Sequence, residues 1–177
     1  YSKLVREMGG EVINISANSK NHINAMDMGK WYSEDINPLN LKSEFILSLC
    51  EQLMGGENLA AKEKSIIDRS LTSCYREYIK GGFQGTPPTL KDFREELLKQ
   101  PEEKAKEIAL SIELFSDGNL NTFAKQTNVD IDSRIICYDI RDLGRQLLPI
   151  GMLIVLDSIL NRITANKEKG KNTFIFI

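Results

Sequence analysis

The sequence predicts an α/β fold in which a parallel sheet is interrupted by an inserted helical unit. Three observations carry this. Two short apolar runs, Glu11-Val12-Ile13-Asn14-Ile15 and Arg134-Ile135-Ile136-Cys137-Tyr138-Asp139-Ile140, read as strands of one sheet. Between them, from Leu41 to about Phe123, every periodic signal is helical. The second run is followed by a helical stretch and then by Phe174-Ile175-Phe176-Ile177, the strand, helix, strand order of a right-handed parallel unit. The gap between the first two strands is far longer than an ordinary crossover, so the helices form an insertion.

In chain order, Leu4, Val5 and Met8 share one face of a short helix that Gly9-Gly10 can end in the left-handed conformation. The Glu11–Ile15 strand follows. Ser16 to Asn40 is rich in Asn and Ser and reads as a loop connecting two structural units. Leu41, Phe45, Ile46, Leu49, Cys50 and Leu53 make an apolar stripe that stops at Gly55-Gly56. Ile66, Ile67, Leu71, Cys74, Tyr75, Tyr78 and Ile79 make a second, which stops at Gly81-Gly82. Thr89 and Asp92 form a capping pair for a helix carrying Leu90, Phe93, Leu97 and Leu98. Pro101 suits the first turn of a fourth helix, through Ile108, Ile112 and Phe115 to Gly118. These four amphipathic helices read as a small bundle. Pro149 to Thr164 is a helix apolar on most of its circumference, which predicts cover on more than one side. The terminal run, apolar with no turn signal after it, reads as a strand buried on both faces. The chain therefore divides into residues 1–40, the first part of the α/β core and a connector; 41–128, an all-α insertion; and 129–177, a strand, helix, strand part of the core. The start at Tyr1 and the apolar finish lead us to expect a piece of a larger protein.

Composition narrows the function classes. A chain of 177 residues can bury roughly 70% of its unfolded surface without disulfides or metals. Its 23 basic and 25 acidic residues leave a net charge of −2, so composition gives no support to nucleic-acid binding. Cys50, Cys74 and Cys137 are widely spaced among apolar residues and read as buried, reduced thiols. Nothing at the N-terminus resembles a signal peptide. The longest uncharged apolar run, Gln146 to Leu156, is about half a membrane span.

The chain holds no complete catalytic constellation. "GGFQGTPP" has glycines but lacks the lysine and the strand-to-helix setting of a phosphate loop. His22 lies in a polar loop, without Cys or carboxylate neighbours at metal-ligand spacing, and reads as solvated. Asp130 and Asp132 read as turn caps, with a functional carboxylate pair as the alternative. Arg141 and Arg145 follow the middle strand, where parallel sheets collect ligands; a solvated loop or a surface ion pair is the other reading. Arg162 near the end of the apolar helix complements the helix dipole or reaches a neighbour.

Seven segments, "YSKLVREMGGEVINIS", "NHINAMD", "NPLNLKSEFILSLCEQLMGG", "EKSIIDRSL", "NVDIDSRIICYDIRDLGRQL", "GMLIVLDSILNRIT" and "KNTFIFI", resemble in order the C-terminal ATPase domain of the VirB-type conjugation ATPases of type IV secretion systems, relatives of TraC and TraE. The resemblance implies a RecA-like P-loop NTPase core with an all-helical insertion, and ATP with Mg2+ as cofactors of the parent protein. It places the Walker A loop upstream of Tyr1 and an acidic pair after Ile177, so that "FIFI" corresponds to the Walker B strand and no metal ligand or phosphate-binding residue falls within the chain. By the same resemblance the chain alone is inactive. Its partners are further subunits of the same ATPase in a homo-oligomer such as a hexamer, with secretion-channel components, at the cytoplasmic face of the membrane. Arg162 is the candidate for an arginine acting on a neighbouring subunit's nucleotide. Ala25 departs from the family pattern, in which proline commonly follows Ile-Asn. The competing reading is a non-enzymatic module whose helical bundle binds a partner.

Overall fold

The structure, a computed structural model, describes residues 1–30 and 37–176. The first helix, α1 (Ser2–Glu7), is followed by Gly9 in the left-handed region, at φ +71°. Gly10 then brings the backbone so close to Ile135 that an added Cβ would lie 2.8 Å from the Ile135 Cβ and carbonyl oxygen. Only glycine permits that approach, and it aligns β1 (Glu11–Asn14) with β2 (Ile136–Asp139). The two strands are parallel, with Glu11 opposite Ile136 and Asn14 opposite Asp139. The ladder begins with the Glu11 amide on the Ile135 carbonyl and is extended by the Ile15 amide on the Asp139 carbonyl, at 2.8 and 2.9 Å. The long-range parallel pairing expected across the helical segment is thus present.

The helices follow the predicted order. In α2 (Pro38–Leu53), Asn37 caps the first turn through its side chain and Pro38 takes the first position. α3 (Ala61–Lys80) opens with the Glu63 carboxylate accepting from the Ala60 amide, which holds that carboxyl below its ordinary pKa. In α4 (Leu90–Leu98), Thr89 and Asp92 exchange the bonds of a capping box. Thr89→Ala should therefore lower stability by about 1 kcal/mol, read as a shift in the urea midpoint without a change in slope; an unchanged midpoint would show that the box contributes nothing. α5 (Glu103–Ser116) starts two residues after Pro101, so that proline precedes the helix instead of entering its first turn. Arg94 of α4 reaches across to α5, donating to the Ala109 carbonyl and pairing with Glu113 and Asp117. A short 3-10 turn, Asn121–Phe123, leads back toward β2.

A single hydrophobic cluster runs through the whole molecule, from Ile13 and Ile15 on the sheet, through Ile46, Leu49, Ile67, Leu71, Phe93 and Ile112 of the helices, to Ile150 and Ile154 of α6 (Leu148–Glu168). The connector has no regular element between Ile15 and Lys30, yet Ile23, Ala25, Met26 and Met28 are buried. It threads the core instead of skirting it; residues 31–36 of the connector lie outside the described residues. Its polar groups are satisfied segment by segment. Asn24 donates to the Pro88 carbonyl and accepts from the Met26 amide, its own amide bonds Thr127, and the Tyr75 hydroxyl donates to the Met26 carbonyl at 2.6 Å.

Four expectations are corrected. The terminal segment is not a buried strand: Lys171 to Phe176 forms no ladder, and Phe174 and Phe176 are 80% and 86% exposed. Ile177 lies outside the described residues. A strand exists only when a neighbour completes its hydrogen bonds, and the sheet among the described residues has two strands; the apolar run was legible but its missing neighbour was not. The predominantly α/β reading accordingly gives way to a mostly helical molecule around a small parallel sheet. The middle strand is half-buried along most of its length, not enclosed on both faces. Finally, α6 is covered on one side only. Ile150, Gly151, Ile154 and Val155 face the core, whereas Leu148, Met152, Leu156 and Leu160, spaced four apart, form an exposed stripe. By length and composition α6 could cross a membrane, but here it packs on α2.

Candidate functional site

Two polar clusters stand out. The first lies at the carboxyl edge of the parallel strands, where the chain leaves β1 and β2 side by side. Asp139, the last residue of β2, is held by Arg141 through a two-pronged contact, Nε to Oδ1 at 2.9 Å and Nη2 to Oδ2 at 2.7 Å. The guanidinium keeps the Asp139 carboxyl at about 2, well below the usual range. Asp139 is therefore a permanently ionised acceptor and not a general acid or base. The Arg141 side chain is 82% exposed and its remaining N–H groups face solvent. Asn14, opposite Asp139, reaches Asp142 at 3.4 Å, and its carbonyl accepts from Ser19 and Asn21. Arg145 is exposed nearby in sequence. Of the two predicted readings of Arg141, the ion pair is observed, with Asp139, and the residue stands just beyond the carboxyl end of β2.

The second cluster is buried. Lys42 of α2 is fully enclosed. Its ammonium donates to the Ala25 carbonyl and to Asp157 of α6, each at 2.9 Å, and stands 4.4 Å from the Phe45 ring centroid. Burial, the largest influence, pulls the Lys42 pKa down, opposed by Asp157 and Asp27. Burial also raises the Asp27 carboxyl, against a hydrogen bond from Thr127 and the attraction of Lys42. Connector, α2 and α6 are joined at this one charged group. Sequence reasoning missed it, although the signal was there: Lys42 lies four residues before Ile46 and seven before Leu49, on the buried face of the stripe.

The other singled-out residues have local roles. Asp130 accepts from the Asp132 amide at 2.9 Å and caps a turn, as expected. His22 is half-buried, not solvated: its Nδ1 is enclosed and has no hydrogen-bond partner among the described residues, its backbone amide bonds Asn128, and burial lowers its pKa. Arg162 donates to the Ser133 carbonyl just before β2, and together with the contact of Tyr138 and Ser158 this fixes α6 antiparallel to β2. Among the described residues no group of His, Cys, Asp and Glu could hold a metal ion.

A cleft of about 590 Å3 opens between α3, α4 and the loop before α4, lined by Cys74, Glu77, Tyr78, Pro87, Asp92 and Glu96 among others. All three cysteines are free, but only Cys50 is fully buried; Cys74 and Cys137 are half-buried, so the expectation of three enclosed thiols holds for one. Burial pushes Cys50 up to about 12, and burial with the carboxylates of Asp92 and Glu96 does the same for Cys74. At pH 8 a thiol of that pKa is ionised to about one part in ten thousand, and the thiolate is the nucleophile. Native labelling with a thiol reagent should accordingly leave Cys50 and Cys74 slow until the chain unfolds. Rapid modification of either would contradict this environment.

No protein-family model and no curated protein matches the sequence. Among solved structures, VirB4 of Thermoanaerobacter pseudethanolicus superimposes with a TM-score of 0.78 at 21% identity, over 94% of this chain and 67% of the VirB4 chain. The chain has the fold of that part of VirB4, and the sequence-based resemblance is met at the level of fold.

Proposed function

We propose that the chain is part of a VirB4-type ATPase, a RecA-like motor that energises type IV secretion or conjugative DNA transfer. The observation that carries the reading is the superposition on VirB4 along almost the whole chain. The parallel pairing of β1 and β2 across a helical segment supports it independently, because it is the arrangement a RecA-like core with a helical insertion requires. In this reading the parent protein binds ATP and Mg2+ through a phosphate loop preceding Tyr1 and an acidic pair following Ile177, and this chain supplies scaffold and insertion. Partners are further copies of the ATPase, in a ring such as a hexamer, and channel components at the cytoplasmic face of the membrane. Arg162 is the candidate for the arginine that reaches a neighbour's nucleotide, and in doing so it would exchange the Ser133 carbonyl for phosphate oxygens.

The cellular test is genetic. Deleting the gene should reduce conjugative transfer or secretion to background, and the intact protein should restore it. Unchanged transfer in the deletion strain would overturn the reading, and the alternative of a helical interaction module would replace it.

A further inference from the structure

The cleft between α3 and α4 belongs to the helical insertion: its lining comes from residues 73–126, and neither the sheet nor either end of the chain contributes to it. α3 presents Ser73, Cys74, Glu77 and Tyr78, and α4 presents Asp92, Glu95 and Glu96, each set spaced to share one helical face. The third wall, Thr86-Pro87-Pro88, is pinned from behind. Gln126 donates to the Pro87 carbonyl and Asn24 to the Pro88 carbonyl, each at 2.8 Å. The walls are thus positioned by the fold, and a ligand has little ordering to supply. At about 590 Å3 the cleft lies within the ~300–1,000 Å3 range of ligand sites.

Every charged residue that lines it among the described residues is an acid. Two of the four carboxylates are engaged, Asp92 in the cap with Thr89 and Glu96 with Lys99. Glu77 and Glu95 make no side-chain hydrogen bond or ion pair among the described residues. Burial, and after it the carboxylates of Asp92, Glu96 and Glu95, raise the Cys74 thiol, so the negative field reaches the cleft wall. Tyr78 adds an aromatic face, braced edge-on by Phe83 with the ring centroids 5.7 Å apart. The carboxylates do not converge on a point, since no group of His, Cys, Asp and Glu among the described residues could hold a metal ion. Acids spread along two walls match positive charges that are themselves spread along a chain.

We propose that the cleft binds an extended basic peptide segment of a partner protein, its Arg or Lys side chains pairing with Glu77 and Glu95 and one of them lying over the Tyr78 ring. The occupant is cationic because the charge of the lining is of one sign, and it is a peptide because the acids are distributed and not focused. The proposal stands apart from the motor reading and gives the insertion a partner class of its own.

The test is fluorescence anisotropy of a dye-labelled oligo-arginine peptide titrated with the 177-residue chain over a salt series, with amide NMR on the same samples. Saturable binding that weakens with added salt is expected, with shifts at the Tyr78 and Gln84 amides. Glu77→Gln with Glu95→Gln should weaken binding about tenfold, the loss of two ion pairs at the edge of solvent. Glu103→Gln with Glu107→Gln, two exposed carboxylates of α5 outside the cleft, changes the net charge equally and should leave binding unchanged. Four results would overturn the proposal: no saturable binding; binding that survives the cleft substitutions; equal weakening by both pairs of substitutions, which would mean attraction to net charge alone; or equal binding of an uncharged Gly-Ser peptide of the same length.

Discussion

Lys42→Ala will lower the stability of the chain by about 3–5 kcal/mol, the cost of removing one partner of a buried ion pair. The lysine ammonium is enclosed between the Ala25 carbonyl, Asp157 and the Phe45 ring, and its removal leaves the largely buried Asp157 without this counter-charge. The double variant Lys42→Met with Asp157→Leu should recover most of the loss, because a well-packed apolar pair of similar volume replaces a charged pair at little or no net cost. Urea unfolding of the two variants decides it. If the double variant is as unstable as the single one, the loss comes from packing and not from the broken ion pair. The pair also has a pH signature. Burial holds the folded-state pKa of Lys42 below 10.5, so between the folded and unfolded values the unfolded chain binds more protons. The proton-linked part of the stability at Lys42 is fully present above pH 10.5 and is lost as pH falls through the folded value, while the pairing and packing of the side chain are a separate contribution. On the alkaline side the difference in stability between wild type and Lys42→Met should change with pH in that window, and a second change is expected in the acid range, where Asp27 loses the attraction of Lys42.

Phe93→Ala should cost a similar amount, about 3–5 kcal/mol. Phe93 is fully buried on α4, in the core that α4 shares with α3 and α5. Its loss removes both transfer free energy and the contacts of the surrounding side chains, which can collapse only in part. Leu110 is the control. It lies on α5 but is 69% exposed, so Leu110→Ala should stay within about 0.5 kcal/mol of wild type. Equal losses at the two positions would mean that the α5 surface is covered in solution by something the monomer fold does not supply.

The helices were legible because each carries its own signals: periodic apolar residues, the Thr89 and Asp92 box, and glycines beyond the ends of α2 and α3. The pairing of β1 with β2 was legible from their shared apolar character and from the length of the segment between them. The connector reads as mere loop because burial there does not follow a period; Ile23, Met26 and Met28 join the hydrophobic cluster while the backbone at Asn24 and Met26 is satisfied by Thr127, Asn24 and Tyr75 side chains, which only the folded chain brings together. The terminal strand and the second cover of α6 failed for a shared reason. An apolar run shows that a residue favours burial, whereas what buries it is a property of the neighbours. Of the candidate site, the position of Arg141 at the strand edge could be read from the sequence, but its engagement by Asp139 two residues back could not, since the two-pronged geometry depends on the turn after β2. Lys42 could have been found by counting back along its stripe, and was overlooked because a lysine is rarely enclosed.

The central claim, that this chain belongs to a nucleotide-driven motor, is tested most directly by thermal unfolding with magnesium and ATP. The 177-residue chain alone should show no shift, because the resemblance places the lysine and backbone cradle that hold phosphate, and the acids that hold magnesium, outside it. A protein that continues this sequence through the phosphate loop on one side and the acidic pair on the other should gain about 2.7 kcal/mol of apparent stability at a hundredfold excess over Kd, and should lose that gain when the loop lysine is replaced by alanine. Binding is the cleaner readout, since in the proposed reading hydrolysis would also need an arginine from a neighbouring subunit. A longer protein with no shift in magnesium and ATP would contradict the account and leave the helical interaction module in its place.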